Sequence, residues 1–161
     1  MQTLRTSVAS IAVIAVGMLL GAATYEAVVM APNYVTQVPQ SLERIRAFFV
    51  ITNPGNFFRV LAPATQVLLL LSVLLNWRVP RARWWLAGAL VAVVLTDVIT
   101  FKVHYPRNAV LFVQPLEGVP IARLQQAARE WGRWNQVRVG LLAAAAVTAL
   151  RGLSWSFRTD S

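Results

Sequence analysis

The sequence predicts an all-α integral membrane protein built as a four-helix bundle. Of its 161 residues, 57% are hydrophobic and only 13% are charged, whereas a soluble domain carries about 25% charged residues. No linker or repeat divides the chain, so we expect residues 1–161 to form a single domain. Its apolar residues gather into four runs that predict spans at about residues 8–29, 57–77, 84–104 and 134–155.

The composition also limits the possible partners. The chain has no cysteine, which excludes disulfides and thiolate metal sites. Its net charge of +9 raises the question of nucleic acid. However, the arginines are scattered among apolar runs instead of lining one polar face. We therefore expect no nucleic acid, and the lipid bilayer with its anionic headgroups is the expected partner.

The first apolar run contains no charge between residues 8 and 25. A cleaved signal peptide is the alternative, because small residues occur at positions 21–23. The run continues past them, which favours a retained helix. Gly17 and Gly21 would let another helix approach closely. Glu26 comes at the end of this helix, where a carboxylate faces either water or a cavity.

The segment between the first two spans predicts a short helix on the membrane surface. Pro32 and Pro39 are expected to bracket a loop, and Ser41 is expected to cap a helix over residues 42–50. The apolar residues of that helix fall on one side, which is typical of an interfacial helix.

The basic residues predict the orientation of the spans. Arg78, Arg81 and Arg83 crowd the link before Trp84 and Trp85, and the positive-inside rule makes that link cytoplasmic. With four spans, both termini are then cytoplasmic, and we expect the bacterial inner membrane as the location. Helical spacing from Pro120 into the last apolar run predicts one long helix that projects from the outer face.

The third span ends in a polar stretch with the only histidine of the chain. Asp97 and His104 are seven residues apart, so they share a helix face at depths that differ by roughly 10 Å. An ionisable residue at such depth is costly, and its default reading is functional. The alternative is that Asp97 meets a structural partner, such as Gln66, Lys102 or Arg138.

Four antiparallel spans bring other polar and aromatic residues to the same, non-cytoplasmic end. We predict a pocket there, entered either from outside or from the outer leaflet. The candidate catalytic residues are His104, Glu26 and Asp97. The candidate substrate-binding residues are Asn53, Asn108, Trp131, Trp134, Asn135 and Arg138.

Several cofactors do not fit the residues present. One histidine cannot build a three-histidine zinc site or a two-histidine iron site. A metal held by Glu26, Asp97 and His104 would have few ligands, and a lone histidine is thin support for haem. There is no dinucleotide fingerprint or phosphate loop. We therefore expect no cofactor and no bound metal.

Short motifs occur along nearly the whole chain. They are Gly17 through Tyr25-Glu26 to Pro32, Asn53-Pro54, Ala62-Pro63, Trp77, Pro106-x-Asn108-x-x-Leu111 and Trp131-x-x-x-Asn135-x-x-Arg138. With these motifs the chain resembles the anthrone oxygenase-like family of small four-helix membrane proteins. The resemblance implies a four-helix membrane bundle. It also implies an oxidation like that of the characterised relatives, which convert anthrones to anthraquinones with O2, without metal or flavin.

Such chemistry needs a base to remove an acidic C–H proton and donors to hold the resulting enolate. The resemblance makes His104 the base and Asn108, Asn135 and Arg138 the donors.

Two functions follow from these observations. The first is a membrane-embedded oxidoreductase that acts on a hydrophobic or aromatic small molecule at the outer rim. The alternative is a non-enzymatic scaffold, or a small-molecule or lipid binder, in which Glu26, Asp97 and Arg138 form a structural ion-pair network. An enzyme should show an apolar pocket that touches His104, whereas a scaffold should show that rim packed shut. A homo-oligomer is compatible with either.

Overall fold

The computed structural model describes residues 2–158 and is helical throughout, with no strand in that range. Four helices are long and apolar enough to cross a membrane, which confirms the predicted fold class. A fifth, short helix lies between the first two. We number them α1 (Gln2–Val35), α2 (Gln40–Phe48), α3 (Pro54–Leu75), α4 (Pro80–Val113) and α5 (Ile121–Ser156).

The four long helices form a ring in which each packs against two neighbours. The order around the ring is α1, α3, α4 and α5, and α5 closes it by packing on α1. Alanine, valine and leucine fill the centre, which we call the span core. Its buried members are Ala12, Val16, Leu19, Ala23, Ala62, Leu69, Ala89, Val93, Leu142, Ala145 and Ala149.

Helices α4 and α5 approach each other closely at Gly152 of α5. A methyl group added there would lie 2.6 Å from Cγ of Leu86, so only glycine lets α4 pass at this distance. Small residues allow such approaches between membrane helices. Gly17 and Gly21, where the sequence suggested a close approach, have no atom within 4 Å of an added Cβ. They therefore lie on the open surface of the described chain.

Helices α1 and α4 are longer than the spans predicted from the sequence. Each contains π-helical turns, at Glu26–Met30 in α1 and at Thr100–His104 and Ala109–Val113 in α4. Every one of these turns ends two residues before a proline, namely Pro32, Pro106 and Pro115.

Proline has no N–H to donate, and its ring crowds the carbonyl four residues earlier. In all three places, the residue just before the proline donates its N–H to the carbonyl five residues back. The wider turn keeps Pro32 and Pro106 inside continuous helices. The expected loop beginning at Pro32 is therefore wrong, and α1 continues to Val35.

The short helix α2 runs from Gln40 to Phe48, slightly earlier than predicted. Ser41 is not its cap but lies inside it, and its hydroxyl donates to the carbonyl of Tyr34 at 2.8 Å. Arg46 binds the far end of α4 with its guanidinium. Its Nη2 and Nε donate to the carbonyl of Leu111 at 2.7 and 3.0 Å, and its Nη1 donates to that of Gln114 at 2.8 Å.

A second apolar cluster, which we call the cap core, joins α2 to the ends of α1, α4 and α5. It is separate from the span core and includes large aromatic side chains. The ion pair of Arg107 with Glu130 fastens α4 to α5 nearby. The buried members of the cap core are Ala31, Tyr34, Val38, Leu42, Leu111, Leu124, Ala127, Ala128 and Trp131.

The opposite end of the bundle is basic and aromatic. The guanidinium of Arg83 stacks on Trp77 and Trp84, and that of Arg81 stacks on Trp155, with centroid distances of 4.6 to 5.0 Å. Tryptophan and arginine at one end of the spans are typical of a membrane–water interface.

Candidate functional site

A cavity of about 580 Å³ lies between the span core and the cap core. Leu19, Ala62 and Leu142 of the span core bound it on one side, and Tyr34 and Trp131 of the cap core bound it on the other. This volume is in the range of small-molecule sites. The end of the bundle that would be fully packed in a scaffold therefore contains a cavity.

Most of the predicted site residues line this cavity. They come from three of the long helices, α1, α4 and α5, and from the connection before α3. Asn135 and Trp134 are not among the lining residues. The lining members of the predicted set are His104, Glu26, Asp97, Asn53, Asn108, Trp131 and Arg138.

His104 lies at the end of the second π-helical turn and is 1% exposed. Its ring meets the indole of Trp131 edge to face, with the centroids 5.2 Å apart. Neither ring nitrogen has a hydrogen-bond partner within residues 2–158. Buried polar groups without partners are rare and costly, so the unpartnered imidazole of His104 makes this part of the cavity wall a candidate contact for a ligand.

Trp131 forms a fixed wall of the cavity. Its Nε1 donates to Oδ1 of Asn108 at 2.8 Å, and its ring also meets Tyr34 edge to face at 5.5 Å. Because the carbonyl of the Asn108 side chain is used by Trp131, its amide group is the end that can donate to a ligand.

Arg138 carries a positive charge into the deep part of the cavity. Its side chain is 7% exposed, and its Cζ lies 5.2 Å from the centroid of the Phe58 ring. Nη1 donates to Oδ1 of Asn135 at 3.3 Å, and Nε has no partner in the described chain. A guanidinium has five donors, so Arg138 can still bind an oxyanion. Asn135 lies behind it and positions it.

Two carboxylates also face the cavity. Asp97 is held by Gln66, whose Nε2 donates to Oδ2 at 2.6 Å, so Gln66 is the direct partner among the three suggested by the sequence. Glu26 is 8% exposed and lies in the first π-helical turn. Arg138 is close enough to interact with both carboxylates through space.

These three charges form no direct ion pair. Within residues 2–158, the one pair with nitrogen and oxygen less than 4 Å apart joins Arg107 and Glu130, on the outer side of α4 and α5. The alternative based on a network of Glu26, Asp97 and Arg138 therefore lacks the contacts that would hold it together.

The site has an inner charged level and an outer aromatic level. Asp97 lies seven residues before His104 on α4, and Arg138 lies seven residues after Trp131 on α5. Since the two helices are antiparallel, both steps lead inward by roughly 10 Å. A ligand that fills the cavity would thus contact His104 and the aromatic rings outside, and charged groups inside.

Sequence reasoning missed several lining residues. Pro32 predicts a loop at Tyr34, whereas the π-helical turn before that proline lets the helix continue. Phe58 and Arg46 also line the cavity, but an aromatic residue and an arginine near a span end usually read as interface anchors. The proline at a fixed distance after each π turn is the one signal that could have suggested the longer helices.

Across residues 2–158, no three histidine, aspartate or glutamate side chains come together in a way that could hold a metal ion.

Comparison with known proteins gives a family. The sequence model described as anthrone oxygenase matches residues 48–148. This range includes α3, α4 and most of α5, and with them most of the cavity. Searches of curated proteins and of solved structures give no match. The matched range covers more than half of the chain, and the chain therefore belongs to the anthrone oxygenase family.

Proposed function

We propose that this chain is a membrane-embedded oxidoreductase that oxidises a hydrophobic, aromatic small molecule with O2 inside the cavity. The observation that carries the proposal is His104, which is buried against Trp131 and has both ring nitrogens free within the described chain. A neutral imidazole in that state has one nitrogen that can accept a proton. Membership of the anthrone oxygenase family supports the reaction type.

In the first step, His104 removes a proton from a methylene group that is activated by a conjugated carbonyl. The electron pair moves toward the carbonyl oxygen and gives an enolate. Arg138 and the amide group of Asn108 line the same cavity and can donate hydrogen bonds to that oxygen. Donors already in place where negative charge develops are a main source of rate enhancement.

In the second step, the enolate gives one electron to O2, and the resulting radical pair combines to form a C–O bond. The peroxide takes the proton back from His104. Removal of the second hydrogen from the same carbon, again by His104, breaks the O–O bond and forms the new carbonyl. The leaving hydroxide takes that proton and becomes water. In sum, one methylene group and one O2 give one carbonyl group and one water, so no net proton leaves the cavity.

Anthrone is a suitable probe for this proposal. Purified protein in lipid nanodiscs should consume O2 and form anthraquinone faster than protein-free nanodiscs. His104→Gln should remove that excess rate, while Val98→Ala, a half-exposed position on the same helix outside the cavity, should retain it. An unchanged rate in His104→Gln would remove His104 from the mechanism. Anthrone binding without any excess turnover would instead support the non-enzymatic binder.

We further propose that the chain forms one transmembrane domain in a bacterial inner membrane and that both of its termini are cytoplasmic. Arg78, Arg81 and Arg83 lie at the end of the bundle opposite the cavity, so the positive-inside rule places the cavity at the periplasmic end. A reporter fused after residue 161 should be found on the cytoplasmic side of the membrane. Periplasmic activity would invert the protein and move the cavity to the cytoplasmic side.

A further inference from the structure

The wall of the cavity is buried on two of its sides. The residues contributed by α1 are at most 8% exposed, and those contributed by α5 are at most 7% exposed. These two helices therefore separate the cavity from the surroundings. They contribute Leu19, Glu26, Tyr34, Trp131, Arg138 and Leu142.

Most of the exposed lining residues lie on α3 and α4. Phe101 is 61% exposed and Tyr105 is 42% exposed, and both lie on α4. Gly55, Arg59 and Pro63 on α3 are exposed as well. Since α3 and α4 are neighbours in the ring, these five residues flank one opening, which we call the lateral opening. Two more exposed lining residues, Asn53 in the connection before α3 and Val113 at the end of α4, lie at the outer end of this opening.

The end of the bundle beyond the cavity is closed. Leu42, Leu111 and Leu124 of the cap core are at most 1% exposed. Arg46 fastens α2 across this end through the backbone carbonyls of α4. A molecule that approaches along the bundle axis therefore meets a packed core.

The lateral opening extends along the part of the bundle that crosses the membrane. It follows α3 from its first turn to Pro63, a distance of roughly 14 Å along the helix axis. Apolar side chains next to it point outward: Val60 is 73% exposed, Val67 is 56% exposed and Val98 is 48% exposed. Such a surface faces acyl chains, so the opening borders lipid.

We propose that ligands enter the cavity sideways from the bilayer, through the lateral opening between α3 and α4. The site then selects hydrophobic molecules that are dissolved in the membrane, and water-soluble molecules reach it poorly. This inference rests on the proposed function for the role of the cavity as the site, and it adds the class of substrate and its route.

Single cysteines can test the route, because the natural chain has none. Thr100→Cys places a thiol in the cavity, Val98→Cys places one on the lipid-facing surface, and Asn56→Cys places one at an exposed position in the first turn of α3. Each protein in liposomes is treated with phenylmercuric acetate, which partitions into lipid, or with p-chloromercuribenzenesulfonate, which stays in water. Thr100→Cys should react like Val98→Cys, with the lipid-soluble reagent alone, whereas Asn56→Cys should react with both.

Reaction of Thr100→Cys with the sulfonate at the rate of Asn56→Cys would overturn the proposal, as would no reaction with either reagent. Net repulsion would not explain exclusion of the sulfonate, because the three arginines that line the cavity outnumber its two carboxylates; these residues are Arg46, Arg59, Arg138, Glu26 and Asp97. Two further changes in the Thr100→Cys protein separate the routes. Phe101→Ala should accelerate labelling by widening the opening, and Arg46→Ala, which releases the cap, should not. The reverse pattern would assign entry to the capped end.

The cysteine labelling does not depend on turnover, so it tests the route separately from the proposed oxidation. If Thr100→Cys reacts only with the lipid-soluble reagent but anthrone is not oxidised, the lateral route stands and the oxidation is rejected. If Thr100→Cys reacts with the water-soluble reagent and anthrone is oxidised, the oxidation stands and the lateral route is rejected.

Discussion

The two apolar cores of this molecule, the span core and the cap core, contain different kinds of side chain and are held together by different contacts. The span core consists of alanine, valine and leucine, and Gly152 allows a close approach of α4 and α5. Hydroxyl groups near it, such as those of Thr65 and Ser72, bond back to carbonyls of their own helix. Inside a bilayer, apolar contact between helices gains little over contact with lipid, so close packing has to hold them together.

The cap core instead combines aromatic rings with hydrogen bonds between elements. Tyr34 meets Trp131 edge to face, Trp131 donates to Asn108, and Arg46 binds the end of α4. Polar bonds of this kind hold irregular segments that packing alone would leave loose. This difference shows that the cavity lies at the boundary between the span core and the cap core, where the side chains of neither core fill the space.

The largest effect that we expect concerns His104, which lies between the two cores. Glutamine keeps hydrogen bonding and similar size but cannot act as a base, so His104→Gln should lower kcat at least about 100-fold, the low end for general base catalysis. Steady-state O2 uptake with anthrone measures kcat, and thermal unfolding in detergent controls for folding. Loss of folding would show that the imidazole supports the cores instead.

A matched pair of leucines tests whether the cores are separate. Leu69 in the span core and Leu42 in the cap core are both fully buried. Leu69→Ala should lower the stability of the whole bundle by about 2 kcal/mol, because the cavity left behind forfeits packing. Leu42→Ala should leave the main thermal transition in place.

Hydrogen exchange distinguishes the two substitutions locally. In Leu42→Ala, the amides of residues 40–48 should exchange faster while those of α3 keep their protection, since local opening follows local contacts. Equal drops in the thermal midpoint for both substitutions would mean that the two cores unfold as one cooperative unit.

The smallest effect should come from Trp131→Phe. Phenylalanine retains the aromatic wall but loses the bond to Asn108, which costs about 1 kcal/mol. Anthrone affinity, measured by equilibrium dialysis with nanodiscs, should then fall only a few-fold. Asn108→Ala should give a comparable loss, and the double substitution should be less than additive. Full additivity would show that the bond does not shape the site.

Much of the fold could be predicted from the sequence because lipid imposes simple rules. Runs of uncharged residues predicted the four spans. Asp97 and His104 line one cavity, as predicted, although the π-helical turn at Thr100–His104 departs from the regular helical step on which that prediction was based. The roles of these residues stay predictions, as do the orientation and the single domain. Trp134 lies outside the cavity because, at about 100° per residue, it is 60° from Trp131, whereas Arg138 is only 20° away.

The rest depended on local backbone changes that a regular helix does not contain. A proline normally signals a helix end, so Tyr34 beyond Pro32 could not be assigned to a helix facing the cavity. The closure by Arg46 depends on three-dimensional proximity between residues more than sixty positions apart. Periodicity within one helix carries no information about such contacts.

The π-helical turns also have a consequence for the ancestry of this fold. Such a turn is equivalent to one residue inserted into an α-helix. A homologous chain without the extra residue in Thr100–His104 would align with this one through a single gap. In that chain, everything beyond the gap would be rotated by about 100° around the helix axis. The histidine would then face a different neighbour, so a one-residue insertion or deletion could gain or abolish the site without altering the four spans.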